Sequence, residues 1–213
     1  PRTWPAKTSH LKERQGQSSV SRSDMSTAEF DWEELFESLT QSPLQIALVV
    51  TGGGSGAVAR CFRRAGASSV FVEAVIPYSR LSMANYLNVQ PRGSSASAER
   101  AHQLAATALA RAGALTDRDM PYETAGLALV AALPTINPRK GRDRIHVSLH
   151  TQQERQLWSA ELPKDVFDRD TAETITEEMI FIALSGLRRD SDATAEEIPS
   201  HLRCGLPLIH SLT

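Results

Sequence analysis

The 213-residue chain is 41% hydrophobic and 23% charged, and it contains no apolar run near the roughly 20 residues that a membrane-crossing helix needs. Its 23 Lys and Arg nearly balance its 25 Asp and Glu, for a formal charge of −2. No global field draws such a surface to nucleic acid or anionic lipid, so any anion site must be local.

Residues 1–26 carry Ser, Arg, Lys and Gln with few apolar side chains, and such a segment buries too little to offset the entropy of ordering, so a disordered extension is expected. It is basic and poor in acid like a transit peptide, which leaves organellar import open beside a cytoplasmic location. Cys61 and Cys204, the two cysteines, form neither a disulfide framework nor a metal spacing, as suits a reducing compartment.

A domain is expected over residues 27–188. Phe30, Trp32, Leu35, Phe36 and Leu39 recur at helical spacing and predict an opening amphipathic helix. Ile46–Val50 reads as a strand that runs into Thr51-Gly52-Gly53-Gly54-Ser55-Gly56, followed by a helix over 57–64. Val70–Ile76 is a second strand, stopped by Pro77, with a short helix from Ser82 to Leu87. Ser97 caps a helix with a small-residue stripe of Ala101, Leu104, Ala105, Ala108 and Leu109, ending at Gly113. Leu127–Leu133 is apolar throughout, as a strand buried on both faces is. The alternating runs Ile145/Val147/Leu149 and Leu157/Ser159/Glu161 predict two half-exposed strands. Asp170-Thr171-Ala172-Glu173 resembles a capping box, with Ile175, Met179, Ile182 and Leu187 as the apolar face of a last helix. Residues 189–213 read as a polar linker and tail. The order predicts an α/β fold, a three-layer α/β/α sandwich on a mixed, mostly parallel sheet.

Ligands in such sheets sit beyond the carboxyl ends of the parallel strands. Three loops qualify. Thr51, Gly52, Gly53, Gly54 and Ser55 offer backbone N–H groups and hydroxyls at a helix start. Tyr78, Ser79 and Arg80 follow the second strand. Arg139, Lys140, Arg142 and Arg144 fall within six residues after the third, and together these loops describe a phosphate pocket. Each also has a plainer reading, as a tight turn or a solvated charge run. Gly52-x-Gly54-x-x-Ala57 fits the dinucleotide fingerprint only nominally, because Glu73 lies inside its strand; no Lys-Ser/Thr follows the glycines, so the P-loop pattern fails. No cofactor is expected. His146 and His150 share a strand face but stand about 13 Å apart at strand rise, too far to hold one metal.

The segments Thr51-Gly52-Gly53, Glu73-Ala74-Val75-Ile76-Pro77-Tyr78-Ser79 and Ser97-x-Glu99-x-Ala101, with Lys140 before the next strand, make residues 27–188 resemble the C-terminal domain of the CinA competence/damage-inducible proteins, in a divergent eukaryotic-type branch. The resemblance implies the sandwich fold, self-association as a homodimer, and kinship with nicotinamide-nucleotide amidases. It also implies where the chemistry would be. Family amidases carry Glu-Ser-Cys before Thr-Gly-Gly, with the serine as nucleophile; here Leu48, Val49 and Val50 stand there. A lysine five residues beyond the motif tyrosine is Met83, and the Thr-Gly-Ile-Ala-Gly-Pro loop becomes Ala131-Ala132-Leu133-Pro134. None of these replacements attacks, moves a proton or stabilises an oxyanion. The expected function is a domain that binds a nucleotide or phosphate without the amidase step. Two alternatives stand beside it: an active nicotinamide mononucleotide (NMN) amidase with catalysis relocated to Ser55 or Ser79, assisted by Lys140 or Tyr78, and a purely structural dimerisation domain.

Overall fold

A computed structural model describes residues 30–90, 93–117, 119, 121–137, 139–188 and 199–213. The expected extension at 1–26 and the linker over 189–198 lie outside the described residues.

Helix α1 (Trp32–Gln41) starts at Asp31, whose carboxylate accepts from the N–H groups of Glu33 and Glu34 at 3.1 and 2.9 Å. Strand β1 (Leu44–Thr51) leads through the glycine turn to α2 (Ser55–Phe62), a short α3 (Ala67–Val70) and β2 (Phe71–Val75). Then come α4 (Arg80–Leu87), α5 (Ala98–Leu115) and β3 (Glu123–Ala132). Strands β4 (Asp143–His150) and β5 (Arg155–Leu162) precede α6 (Arg169–Ser185) and β6 (Ile209–Leu212). The sheet runs β2-β1-β3-β4-β5-β6, with β2, β1 and β3 parallel and the remaining pairings antiparallel.

The strands' period of two sorts the core into two layers. Leu48, Val50, Leu127, Leu129, Ile145, Val147 and Trp158 pack beneath α1, α2, α3 and α6. On the other face Ala47, Val49, Ala128 and Val130 meet Met83 of α4 and Ala101, Leu104, Ala105, Ala108 and Ala112 of α5. The small-residue stripe of α5 brings it down onto β3 at Gly126, where a Cβ would fall 2.2 Å from both Ala105 O and Leu109 N. Only glycine fits under that helix.

Three local expectations are corrected. Helix α5 continues through Gly113 to Leu115 and stops at Thr116, which is extended and returns its hydroxyl to Ala112 O at 2.8 Å. Gly113 occupies an ordinary helical position, so its conformational freedom goes unused. The cap of α6 is Asp168, which accepts from Thr171 N at 2.7 Å, two residues before Asp170; Glu173 turns away from the cap altogether. The segment 199–213 is also part of the sandwich: β6 extends the sheet beyond β5, while Leu202 and Leu208 are buried in the cluster that contains Trp158. Within β6, His210 stands opposite Trp158 and lays its ring against the buried indole, centroids 5.0 Å apart.

Candidate functional site

The loops leaving β1, β2 and β3 meet at one rim. Thr51 Oγ1 donates to Pro77 O at 3.0 Å, tying the first loop to the second. Gly52, at φ +80°, lies so close to β3 that a Cβ would sit 1.9 Å from Ala131 O, so both its backbone angle and its space demand glycine. Gly53 is buried against Leu133, whose Cδ1 would be 2.6 Å from an added Cβ. Arg169, from the first turn of α6, spans the first and third loops by donating to Gly52 O at 3.2 Å and Pro134 O at 3.5 Å.

The head of α2 is occupied from within the protein. Gly54, at φ +85°, offers no capping side chain, and its N–H donates to Glu173 Oε2 at 2.8 Å. The other carboxylate oxygen of Glu173 pairs with Arg169. One turn along α6, Glu177 pairs with Arg60 at 2.6 Å and presses on Gly56, where a Cβ would fall 2.0 Å from Glu177 Oε1. The positive end of the α2 dipole therefore meets carboxylates of α6, the charge that a helix N-terminus favours.

The basic loop is largely engaged. Arg139 donates to Leu133 O at 2.7 Å and pairs with Asp143, which also receives Lys164 at 3.2 Å. Arg142 pairs with Glu161 at 2.6 Å, and Arg144 donates to Ala96 O at 2.7 Å and Ser94 Oγ at 3.1 Å. Lys140 is exposed. Tyr78 is 69% exposed; Arg80, Ser55 and Ser82 are exposed as well. Ser79 is the N-cap of α4, its Oγ accepting from Ser82 N at 3.0 Å. Glu73 is held by a two-pronged contact from Arg111 of α5, with one arm at 2.6 Å, and is thereby withdrawn from any ribose. That pairing also sets the neighbouring Tyr86 against a carboxylate, and its phenol is pushed up to about 12, chiefly by burial.

Val49 and Met83, which stand where the resemblance puts a nucleophile and a lysine, are 0% and 4% exposed and share one buried apolar cluster. Their common cluster is apolar, made of alanines, leucine and valine. Cys61, on α2, is buried, and desolvation raises its thiol to about 12, so it is held as the unreactive thiol.

A histidine pair lies elsewhere and was not foreseen. His102 of α5 meets His150 of β4 with Nδ1···Nε2 at 3.1 Å, and Ser148 Oγ lies 2.9 Å from the same His102 Nδ1. His146 instead pairs across the hairpin with Ser159 at 2.8 Å. His150 lines a cavity of about 540 Å³ between the C-terminal half of α5 and the β4–β5 turn, with Arg155 and Glu154 at its wall. This cavity opens at the end of the sheet opposite the glycine rim, because β4 ends and β5 begins there.

The layer order, the parallel β2-β1-β3 half and the glycine rim define a three-layer α/β sandwich, and its fold is similar to that of competence/damage-inducible, CinA-like proteins. Particular solved structures carry that likeness. The CinA superfamily protein of Escherichia coli superposes with a TM-score of 0.55 at 14% identity, covering 78% of this chain and 90% of its own. The competence/damage-inducible protein of Agrobacterium tumefaciens gives 0.52 at 18% identity, covering 75% and 99%. That of Enterobacter asburiae gives 0.51 at 14%, covering 72% and 95%. No protein-family profile matches the chain, and no curated protein sequence does. At these identities the shared property is the fold. Among the described residues no helix is long and apolar enough to cross a membrane, and no cluster of three metal-ligating side chains occurs.

Proposed function

We propose that this chain is a non-hydrolytic CinA-like domain that recognises a phosphate-bearing nucleotide at the glycine rim. The observation that carries the reading is the joint burial of Val49 and Met83 in one apolar cluster. A methyl group at the nucleophile position cannot attack an amide, and a thioether at the lysine position cannot move its proton. Relocated catalysis gains no support from the other hydroxyls: among the described residues, neither Ser55 nor Ser79 hydrogen-bonds to a histidine, lysine or carboxylate, and the Ser79 oxygen is engaged as a helix cap.

Convergence of the three loops and the exposed cation Lys140 support recognition of an anion. The incoming phosphate contends with Glu173 for the Gly54 N–H, which makes binding modest and selective for ligands that bring further contacts. Thermal denaturation with NMN, other nucleotides and orthophosphate tests the binding half, since a ligand of the native state raises the transition with concentration. A flat response to every phosphate-bearing ligand removes it. Ammonia release from NMN tests the other half: release above a boiled control restores the amidase.

A further inference from the structure

The rings of His102 and His150 face each other head-on. Their centroids are 5.4 Å apart and the facing nitrogens 3.1 Å, a difference of two ring radii, so the N···N line runs through both rings. The proton on that line can be assigned. Ser148 is fully buried and its hydroxyl donates to Gln156 O at 3.1 Å, so towards His102 the Ser148 oxygen accepts. His102 Nδ1 therefore carries the hydrogen and shares it between Ser148 Oγ and His150 Nε2, which must be bare.

We propose that this pair is a proton-operated clasp between α5 and the sheet: closed while His150 Nε2 is unprotonated, and opened when a proton arrives there. A proton on the far nitrogen of His102 leaves the shared hydrogen bond in place. One on His150 Nε2 sets N–H against N–H along a collinear axis and breaks it. Among the described residues, no carboxylate acts on either ring in the direction that would favour that second charge. Arg155 of β5 is the external charge that acts on both rings, and it repels. Glu154, beside it, is engaged by Gln156 Nε2 at 2.6 Å. On α5, Glu99 accepts from Gln103 at 3.2 Å, and on β4 the next histidine of that face, His146, is taken by Ser159. Burial lowers both imidazoles, His150 to about 4. His150 is 4% exposed yet lines the 540 Å³ cavity, which gives the proton its way in. The element released is α5, the cover of the layer that holds Val49 and Met83.

The test uses the intact protein and the double variant His102→Asn/His150→Gln. The Asn amide places a donor where His102 Nδ1 was and the Gln carbonyl an acceptor where His150 Nε2 was, and neither titrates. Hydrogen exchange, corrected for its intrinsic pH dependence, is compared for α5 and α6 amides between pH 7 and pH 4. In the wild type the α5 rate relative to α6 rises towards acid, approaching about tenfold per pH unit for one proton taken up. In the double variant, which circular dichroism shows to be folded at pH 7, the ratio stays level. Wild-type helices that exchange in step across this range would overturn the clasp, as would a double variant that keeps the acid rise. His146→Asn serves as control: it retains the rise, and its loss there would assign the effect to the wrong histidine.

Discussion

Glu173 Oε2 lies 2.8 Å from Gly54 N, joining residues 119 positions apart. A carboxylate from one helix thereby caps another helix whose own cap, a glycine in the left-handed region, has no side chain to do so. Glu173→Ala leaves both the Gly54 N–H and the Arg169 guanidinium short of a partner, and destabilisation by about 1–3 kcal/mol is expected in urea unfolding. Glu173→Gln keeps an acceptor and costs less. At constant ionic strength, NMN stabilises the Ala variant more than the wild type, because the competing carboxylate is gone. Equal responses would remove Glu173 from the account of the rim.

Restoring a serine does not restore an enzyme. Val49→Ser puts a hydroxyl into a fully buried apolar cluster, at a cost of about 1–3 kcal/mol, and without a base in reach it releases no ammonia from NMN. Denaturation midpoints and a sensitive ammonia assay on the folded variant check both halves.

Gly126→Ala is expected to be severe. The new methyl carbon would stand 2.2 Å from backbone atoms of α5, which cannot rotate aside as a side chain does. The helix must lift off β3, for a loss at the upper end of the 1–3 kcal/mol typical of overpacking or beyond it. A thermal shift within a degree of wild type would contradict the close approach.

Acid weakens the fold, with a definite sign. His102, His146, His150 and His210 are all lowered from 6.5, burial being the first cause in each, with His150 at about 4. Between those values the unfolded chain binds protons that the folded chain refuses, so unfolding free energy falls as pH drops from about 6.5 towards 4 and is level above. Glu178, raised by burial, acts in the opposite direction because the folded state welcomes its proton. Chemical denaturation across pH 4–8 reads the balance, and a stability that climbs towards acid would reverse the assignment.

Apart from α3 and β6, the strands, the helices that connect them and the sandwich could be read from the chain because each rests on local pattern: the apolar run of β3, the alternation of β4 and β5, the small stripe of α5. The rim loops were legible for the same reason, through their glycines and prolines. What escaped was long-range. Glu173 looked like half of a capping box, since a sequence shows its neighbours at three and four residues and not a glycine across the sandwich. Asp168 and Asp170 are equally good caps by type, and tertiary packing selected the earlier one. The basic cluster read as free charge because Glu161 reaches Arg142 only once the hairpin closes and Ala96 reaches Arg144 from 48 positions away, while the local pair of Arg139 with Asp143 was hidden in the charge run. The His102–His150 contact spans 48 positions and two element types. Strand β6 is four residues long and follows Pro207, too short for alternation to reveal it.

Because the outermost strand is drawn from Ile209–Leu212, assembly during translation has a built-in delay. His210 of that strand lies against the Trp158 indole, so that indole waits for some fifty further residues to be synthesised and leave the ribosome before this neighbour arrives. In that interval the nascent chain presents a bare β5 edge, the point at which chaperones or a neighbouring copy would find it first.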